Sequence, residues 1–216
     1  MMIKGFLFDL DGVIVDTAKY HFLAWKRLAN ELATPFTEID NERLKGVSRM
    51  RSLDILLELG SLELTDQVKE ELAAKKNTWY VDYITKMAPD EILPGALEFI
   101  KEAKGKNIKI ALGSASKNAM TILEQLNITH YFDAIISGNE VSTAKPDPEV
   151  FLKGAQALGL KPEECIVFED AAAGVEAAIN GNMKCIGIGT SDVLGAANIV
   201  VEGLNAINTN DALNVE

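Results

Sequence analysis

The run "FLFDLDGVIVDT", residues 6–17, sets Asp9 and Asp11 two residues apart in an otherwise apolar stretch. A buried carboxylate is costly unless something pairs with it or coordinates it. In an extended strand, residues two apart point the same way, so both carboxylates can converge on one side. Gly12 then frees the backbone to turn, leaving the pair at the carboxyl end of the strand, where parallel α/β sheets bind ligands. Alone, this motif reads as a solvated turn. A second acid pair changes that reading: "VFEDAAAG" (167–174) ends another apolar run in Glu169 and Asp170. On neighbouring strands, three or four carboxylates would crowd one edge and raise one another's pKa values. A divalent cation with oxygen ligands relieves such repulsion, and Mg²⁺ characteristically takes one or two carboxylates plus phosphate and water. Lys145, in "STAKPDP", could add a compact positive charge. Ser114, Ser116 and Asn118 close a further strand and begin a helix whose free N–H groups suit a phosphate. Each piece has a plain explanation as a turn, a solvated lysine or a helix cap. All four at strand ends point to phosphate chemistry.

The elements that must position these groups are legible as apolar runs. "IKGFLFDL" (3–10), "IKIALGS" (108–114), "FDAIIS" (132–137) and "CIVFED" (165–170) are of strand length, and "KCIGIG" (184–189) and "NIVV" (198–201) are candidates for two more. Nearly continuous rather than alternating, they read as strands covered on both faces. Helical patterns at 95–104, 118–126, 148–158 and 171–180 lie between them, which implies right-handed βαβ units and an open, mostly parallel α/β sheet. Residues 16–91 break the alternation and read as helices only, at 17–33, 38–44, 49–59 and 65–86. His21, Trp25, Leu28 and Leu32 share one helical face; Val68, Leu72, Trp79 and Tyr83 share another, with Lys76 at its edge. Gly60 supplies a helix stop and Thr65 an N-cap. The expected division is a core of residues 1–15 and 92–216 with a helical insert at 16–91, returning through "APDEILPG" (88–95).

"DLDGV" (9–13), "GSAS" (113–116), "KPDP" (145–148) and "FEDAAAG" (168–174) resemble, in order and spacing, the four motifs of the haloacid dehalogenase superfamily of phosphotransferases. The resemblance spans essentially the whole chain. It implies a Rossmann-like parallel core and makes the insert a mobile helical cap. It implies Asp9 as the nucleophile that takes the phosphoryl group and Asp11 as general acid–base. Mg²⁺ would be held by Asp9, Glu169, Asp170 and the backbone carbonyl of Asp11, and the transferring phosphate by Ser114 and Lys145. An ionised Asp9 is a competent covalent catalyst, while Asp11 must gain and lose a proton, and different environments can set those roles.

"DTAKYHFLAW" (16–25), "RLKGVSRMRS" (43–52), "KKNTWY" (75–80) and "SASKN" (114–118) resemble the β-phosphoglucomutase family within that superfamily. The resemblance implies interconversion of β-glucose 1-phosphate and glucose 6-phosphate through β-glucose 1,6-bisphosphate. Arg49 would grip the phosphate that is not transferred, with Ser116 and Asn118 and the backbone at Ala115. Gly46 would turn the chain and Ser48 cap the helix that Arg49 opens. Lys76 would contact the sugar, His21 would help position Asp11, and Thr17 would sit at the hinge. Trp25, Leu44, Lys45, Val47 and Ser52 would line the sugar pocket. Without the resemblance, His21 reads as a core histidine, Lys76 as a snorkelling side chain, and Arg49 and Arg51 as solvated first-turn residues. The same core also serves sugar-phosphate phosphatases, which differ in whether water attacks the phosphoenzyme, and less closely a phospho-aspartate signalling module. Two departures stand out. Ala171 replaces a hydroxyl residue common after the acid pair, where Asp170 could cap the following helix. Gly113 before Ser114 is expected to loosen the phosphate loop slightly.

Composition narrows the rest. A net charge of −11 over 216 residues argues against a general nucleic-acid binder but leaves small anionic substrates open. No run is long and apolar enough to span a membrane, and Asp9, Asp11 and Asp16 interrupt any signal-peptide core. Cys165 and Cys185 read as buried reduced thiols, consistent with the cytoplasm. The expected partners are sugar phosphates alone, with a monomer favoured by the resemblance.

Overall fold

The computed structural model describes residues 2–44 and 47–215. They divide into two compact units, one of residues 1–16 and 88–216, the other of residues 17–87. In the first, β1 (Gly5–Phe8), β2 (Lys109–Gly113), β3 (Ala134–Ile136), β4 (Cys165–Glu169), β5 (Lys184–Ile188) and β6 (Ile199–Val201) form one sheet. Its order is β3-β2-β1-β4-β5-β6, and every neighbouring pair is parallel. β1 is therefore central, flanked by β2 and β4, and the carboxyl ends of all three open on the same edge. Beyond β1 the chain makes a bridge between Asp11 and Val15, and Val15 in turn pairs antiparallel with Ile92. The segments leaving for and returning from the helical unit are thus joined to each other, with Leu93 N–H donating to the Ile14 carbonyl at 2.9 Å.

The second unit holds α1 (Ala18–Glu31), α2 (Glu38–Glu42), α3 (Arg49–Leu59) and α4 (Asp66–Ile84). Its core gathers Trp25, Leu28 and Ala29 of α1, Leu53, Ile55, Leu56 and Leu57 of α3, and Ala73 of α4, with Phe36 and Leu44 from the connections. Ser48 caps α3 by accepting from the Arg51 N–H at 3.2 Å. α2 begins in a capping box between Thr37 and Asp40, which satisfies two of the orphan N–H groups of a helix start. Thr65 stands at the N-cap of α4 but makes no side-chain cap bond. The apolar stripe read from the sequence of α4 is displaced by about one position. Its buried residues are Ala73, Lys76, Tyr80 and Ile84, whereas Val68 is exposed and Leu72, Trp79 and Tyr83 only half-buried. A lysine at the centre of the buried face defeats a purely hydrophobic count.

Back in the first unit lie α5 (Ala96–Gly105), α6 (Ala119–Gln125), α7 (Glu149–Leu158), α8 (Ala172–Asn180), α9 (Ser191–Leu194) and α10 (Thr209–Leu213). Strand alternation sends Phe6, Phe8 and Phe168 to one face of the sheet, where they meet Phe99 of α5. Phe8 and Phe168 stack there at 4.6 Å between ring centroids. Leu7, Ala111 and Val167 point to the other face and pack with Phe151 and Leu158 of α7 and Val175 of α8. Covering both faces explains why the strands read as continuous apolar runs. α9 and α10 have no counterpart in the sequence reading. α10 is a single capped turn whose Asn208 side chain accepts from the Asp211 N–H at 3.0 Å, and it is tied to α5 by the Thr209 hydroxyl, which donates to Glu102 Oε1 at 2.6 Å. Among the described residues no helix is long and apolar enough to cross a membrane. Cys165 and Cys185 are buried free thiols, and burial pushes each up to about 12.

Candidate active site

β1 ends at Phe8, so the aspartates lie beyond the strand rather than within it. Asp9 extends the ladder by one step, its N–H donating to the Phe168 carbonyl at 2.9 Å. Because Phe8 pairs with Phe168, Asp9 comes level with Glu169 at the end of β4. Asp9 and Glu169 are buried and Asp170 half-buried, and each offers a carboxylate oxygen within 4.8 Å of the others. Lys145 enters this cluster from the loop before α7. Its Nζ lies 2.5 Å from Asp9 Oδ1 and 2.5 Å from Glu169 Oε1, and its side chain is 7% exposed. The second Glu169 oxygen accepts from the Ala171 N–H at 2.9 Å. Asp170 therefore does not cap α8: Ala171 holds the N-cap position and Glu169 takes its N–H.

Two glycines leave room for these carboxylates. Gly12 has φ +74°, a conformation that disfavours a side chain, and a Cβ there would lie 2.0 Å from Asp170 Oδ2. A Cβ on Gly174, in the first turn of α8, would lie 1.8 Å from Glu169 Oε1.

The electrostatics of the cluster are unbalanced. Burial raises the Asp9 carboxyl above its ordinary range, and Glu169 and Asp11 push the same way against the pull of Lys145. Burial likewise raises Asp170, reinforced by Asp9, Glu169 and Asp11. Burial opposes the charge on Lys145, yet Asp9 and Glu169 together hold its ammonium above the ordinary lysine range. One lysine facing so many carboxylates leaves negative charge that a hard divalent cation would neutralise. The all-oxygen donor set fits Mg²⁺. Asp9, Glu169 and Asp170 each offer it a carboxylate oxygen.

Ser114 follows β2 on the same sheet edge, buried, with its N–H donating to the Ile136 carbonyl at 3.0 Å. Its hydroxyl accepts from the Ser116 N–H at 3.1 Å, and the Ser116 hydroxyl from the Asn118 N–H at 3.3 Å. Ala115 is exposed, Ser116 and Asn118 half-buried. The turn is braced from the loop after β3, where the Gly138 N–H reaches the Ser116 carbonyl at 3.1 Å and Asn139 Nδ2 the Lys117 carbonyl at 2.9 Å. Gly113 does not loosen it. It is the last, buried residue of β2, and its missing side chain admits Phe151, whose Cδ1 would stand 2.8 Å from a Cβ there.

Within the helical unit, Lys76 is 2% exposed, which overturns the snorkelling alternative. Its Nζ lies 2.9 Å from His21 Nδ1 and over the rings of Trp25 at 4.6 Å and Tyr80 at 4.8 Å. Tyr80 also faces the His21 ring at 4.0 Å and donates its hydroxyl to buried Thr17 Oγ1 at 3.3 Å. Leu44 and Ser52 are buried, while Val47 is exposed. Lys45 and Gly46 lie outside the described residues. Arg51 pairs with Glu58 at 2.8 Å. Half-buried Arg49 makes no ion pair among the described residues, and burial lowers its pKa. Tyr80, Phe151 and Gly174 escaped the sequence reading, although Tyr80 lies one helical turn from Lys76 and Gly174 ends the fourth motif.

Burial, then the charges of Lys76 and Arg49, hold the His21 imidazole well below its ordinary value of 6.5, so it stays neutral. The unfolded chain takes up a proton near that value which the folded chain refuses. The His21 contribution to stability is therefore flat above about pH 6.5 and falls as the pH drops below it, by at most about 1.4 kcal/mol per pH unit, while the raised Asp9 and Asp170 carboxyls act in the opposite direction over the same range. Both tryptophans, Trp25 and Trp79, lie in this unit. In urea titrations followed by their fluorescence from pH 8 to 5, the stability of the parent relative to His21→Gln should fall below about pH 6.5, and a difference that does not change with pH would exclude the buried neutral histidine.

A haloacid dehalogenase-like hydrolase family model matches residues 3–182. The chain belongs to the haloacid dehalogenase-like hydrolases. Among them it is 43% identical to a β-phosphoglucomutase of Bacillus subtilis, over 92% of this chain and 88% of that protein. It is 33% identical to a phosphorylated carbohydrates phosphatase of Thermotoga maritima, over 85% and 83%. A crystal structure of a β-phosphoglucomutase from Clostridium difficile superposes with a TM-score of 0.92 at 42% identity, covering 98% of this chain and 96% of that one. This haloacid dehalogenase-like chain is therefore similar in sequence to a mutase and a phosphatase, and in fold to a mutase.

Proposed function

We propose that the protein is a β-phosphoglucomutase, interconverting β-glucose 1-phosphate and glucose 6-phosphate through β-glucose 1,6-bisphosphate. The observation that carries the reading is Asp9 at the end of the central strand, fixed by Lys145 within a carboxylate cluster whose charge calls for a cation. An Asp9 carboxylate oxygen attacks phosphorus, forming an O–P bond as the bond to the departing sugar oxygen breaks. Asp11 gives that oxygen a proton. In the reverse half-reaction Asp11 takes the proton from the sugar hydroxyl that attacks phospho-Asp9. Ser114 and Lys145 hold the transferring phosphoryl oxygens. Mg²⁺ held by Asp9, Glu169, Asp170 and the Asp11 carbonyl would supply further positive charge for those oxygens.

The helical unit serves the end of the sugar that is not reacting. Arg49, half-buried and without an acidic partner among the described residues, suits a phosphate through its fork of donors. Lys76 and neutral His21 suit the sugar. The 43% identity to the Bacillus enzyme favours the mutase over water attack, and buried free thiols suit a reducing cytoplasm. The test supplies β-glucose 1-phosphate, Mg²⁺ and a trace of β-glucose 1,6-bisphosphate, then follows both products. Glucose 6-phosphate should accumulate with little inorganic phosphate; rapid phosphate release without isomer would make the chain a sugar-phosphate phosphatase.

A further inference from the structure

The Lys145 loop is held from α7 by the Glu149 carboxylate, and further upstream by Lys153 of the same helix, which donates to the Glu140 carbonyl at 2.5 Å. Glu149, the first residue of that helix, directs Oε2 back over the loop and accepts from the Ser142 N–H at 2.8 Å, the Ser142 hydroxyl at 2.9 Å and the Thr143 N–H at 2.8 Å. These bonds end two residues before Lys145. On its other side the Asp147 N–H closes onto the Ala144 carbonyl at 3.1 Å, and Asp147 Oδ1 accepts from the Glu149 N–H at 2.9 Å. The loop is thus fastened on both flanks to the start of α7. The same helix places the Phe151 ring 4.7 Å from Lys145 Nζ.

We infer that Glu149 is a positioning residue for phosphoryl transfer: it holds residues 142–143 so that Lys145 bridges Asp9 and Glu169. A lysine has a flexible four-carbon stem, so its backbone must be fixed for the ammonium to stand reliably between two carboxylates. Displacement of about 1 Å at such a group can cost on the order of 100-fold in rate. Hydrogen bonds from Lys153, Thr143 and Ser142 keep the Glu149 carboxyl down at about 2, so the fastening is charged at any working pH. Glu149 itself touches no reacting atom.

The inference rests on Lys145 serving catalysis, and the experiment separates the two. With the assay above, Glu149→Ala should lower kcat by roughly 10- to 100-fold and leave KM within about 3-fold. Glu149→Gln keeps an acceptor oxygen and should recover most of that loss. Glu149→Asp withdraws the carboxylate by one methylene and should show a smaller kcat loss, which decides the matter if the alanine variant does not fold. Lys153 holds the other Glu149 oxygen at 2.6 Å and the Glu140 carbonyl at 2.5 Å, so Lys153→Ala loosens the same fastening and should lower kcat by less than Glu149→Ala. In a Lys145→Ala background, adding Glu149→Ala should cost nothing further. An unchanged kcat in Glu149→Ala or Glu149→Asp, or a full extra loss in the Lys145→Ala background, overturns the inference. A fully active Lys145→Ala protein overturns instead the catalytic reading of Lys145 on which it stands.

Discussion

Asp9→Asn should abolish turnover, with a loss on the order of 10⁴-fold or more, as expected when a covalent nucleophile is removed. The substitution is nearly isosteric. It keeps the Asp9 N–H bond to the Phe168 carbonyl, which involves only backbone atoms. It removes one of the two carboxylates that hold Lys145, while Glu169 still binds it at 2.5 Å. It also removes one negative charge from beside Asp170 and Asp11. The fold should therefore survive, with the thermal midpoint within a few degrees of the parent. Two measurements check this. Intact-mass analysis after brief exposure to β-glucose 1,6-bisphosphate should find a phosphorylated chain in the parent and none in the variant, and circular dichroism should superimpose. A variant that is well folded and still phosphorylated would move the nucleophile elsewhere.

Gly174→Ala should weaken magnesium binding and activity although residue 174 touches neither metal nor substrate. Its Cβ would fall 1.8 Å from Glu169 Oε1, so something must shift. Glu169 cannot yield cheaply, because it is buried and its oxygens are tied to Lys145 and the Ala171 N–H. Rotating it away would release Lys145 and strand a buried carboxylate; moving the first turn of α8 would carry Asp170 with it. Disturbing groups that orient a metal site typically costs 10- to 100-fold in affinity or activity. A loss of roughly that size in apparent Mg²⁺ affinity is expected. Titrating Mg²⁺ calorimetrically and against turnover checks it, and Gly105→Ala gives a control at the end of α5, where nothing lies within 4 Å of an added Cβ. Parent-like magnesium affinity in Gly174→Ala would remove Glu169 from the support of the site.

The sheet was readable because its strands are covered on both faces, which turns each into an unbroken apolar run with little competition from other patterns. The acid cluster was readable for a related reason. Polar residues ending such runs must share an edge once the sheet is parallel, whatever their separation along the chain. What escaped is where side chains reach across the sequence. Lys76 looked peripheral because its burial depends on Trp25 and Tyr80, two rings brought together by different helices. Gly113 looked like slack because Phe151, which occupies the space it leaves, is 38 positions away. The ends of the site elements also moved. The two-residue strand period does not extend to Asp9 and Asp11, because β1 stops at Phe8 and the turn at Gly12 sets the geometry there.

The bridge from Val15 to Ile92 bears on how such a molecule can change over generations. Seen from the sheet, everything between those two residues is one closed excursion, sealed at its neck. Closure entropy grows only slowly with contour length, by about 0.6 kcal/mol for each doubling. Helices could be lengthened, shortened or exchanged beyond the neck at small thermodynamic penalty, without disturbing Asp9 a few positions upstream. Novelty in what is recognised can then arise independently of the chemistry performed.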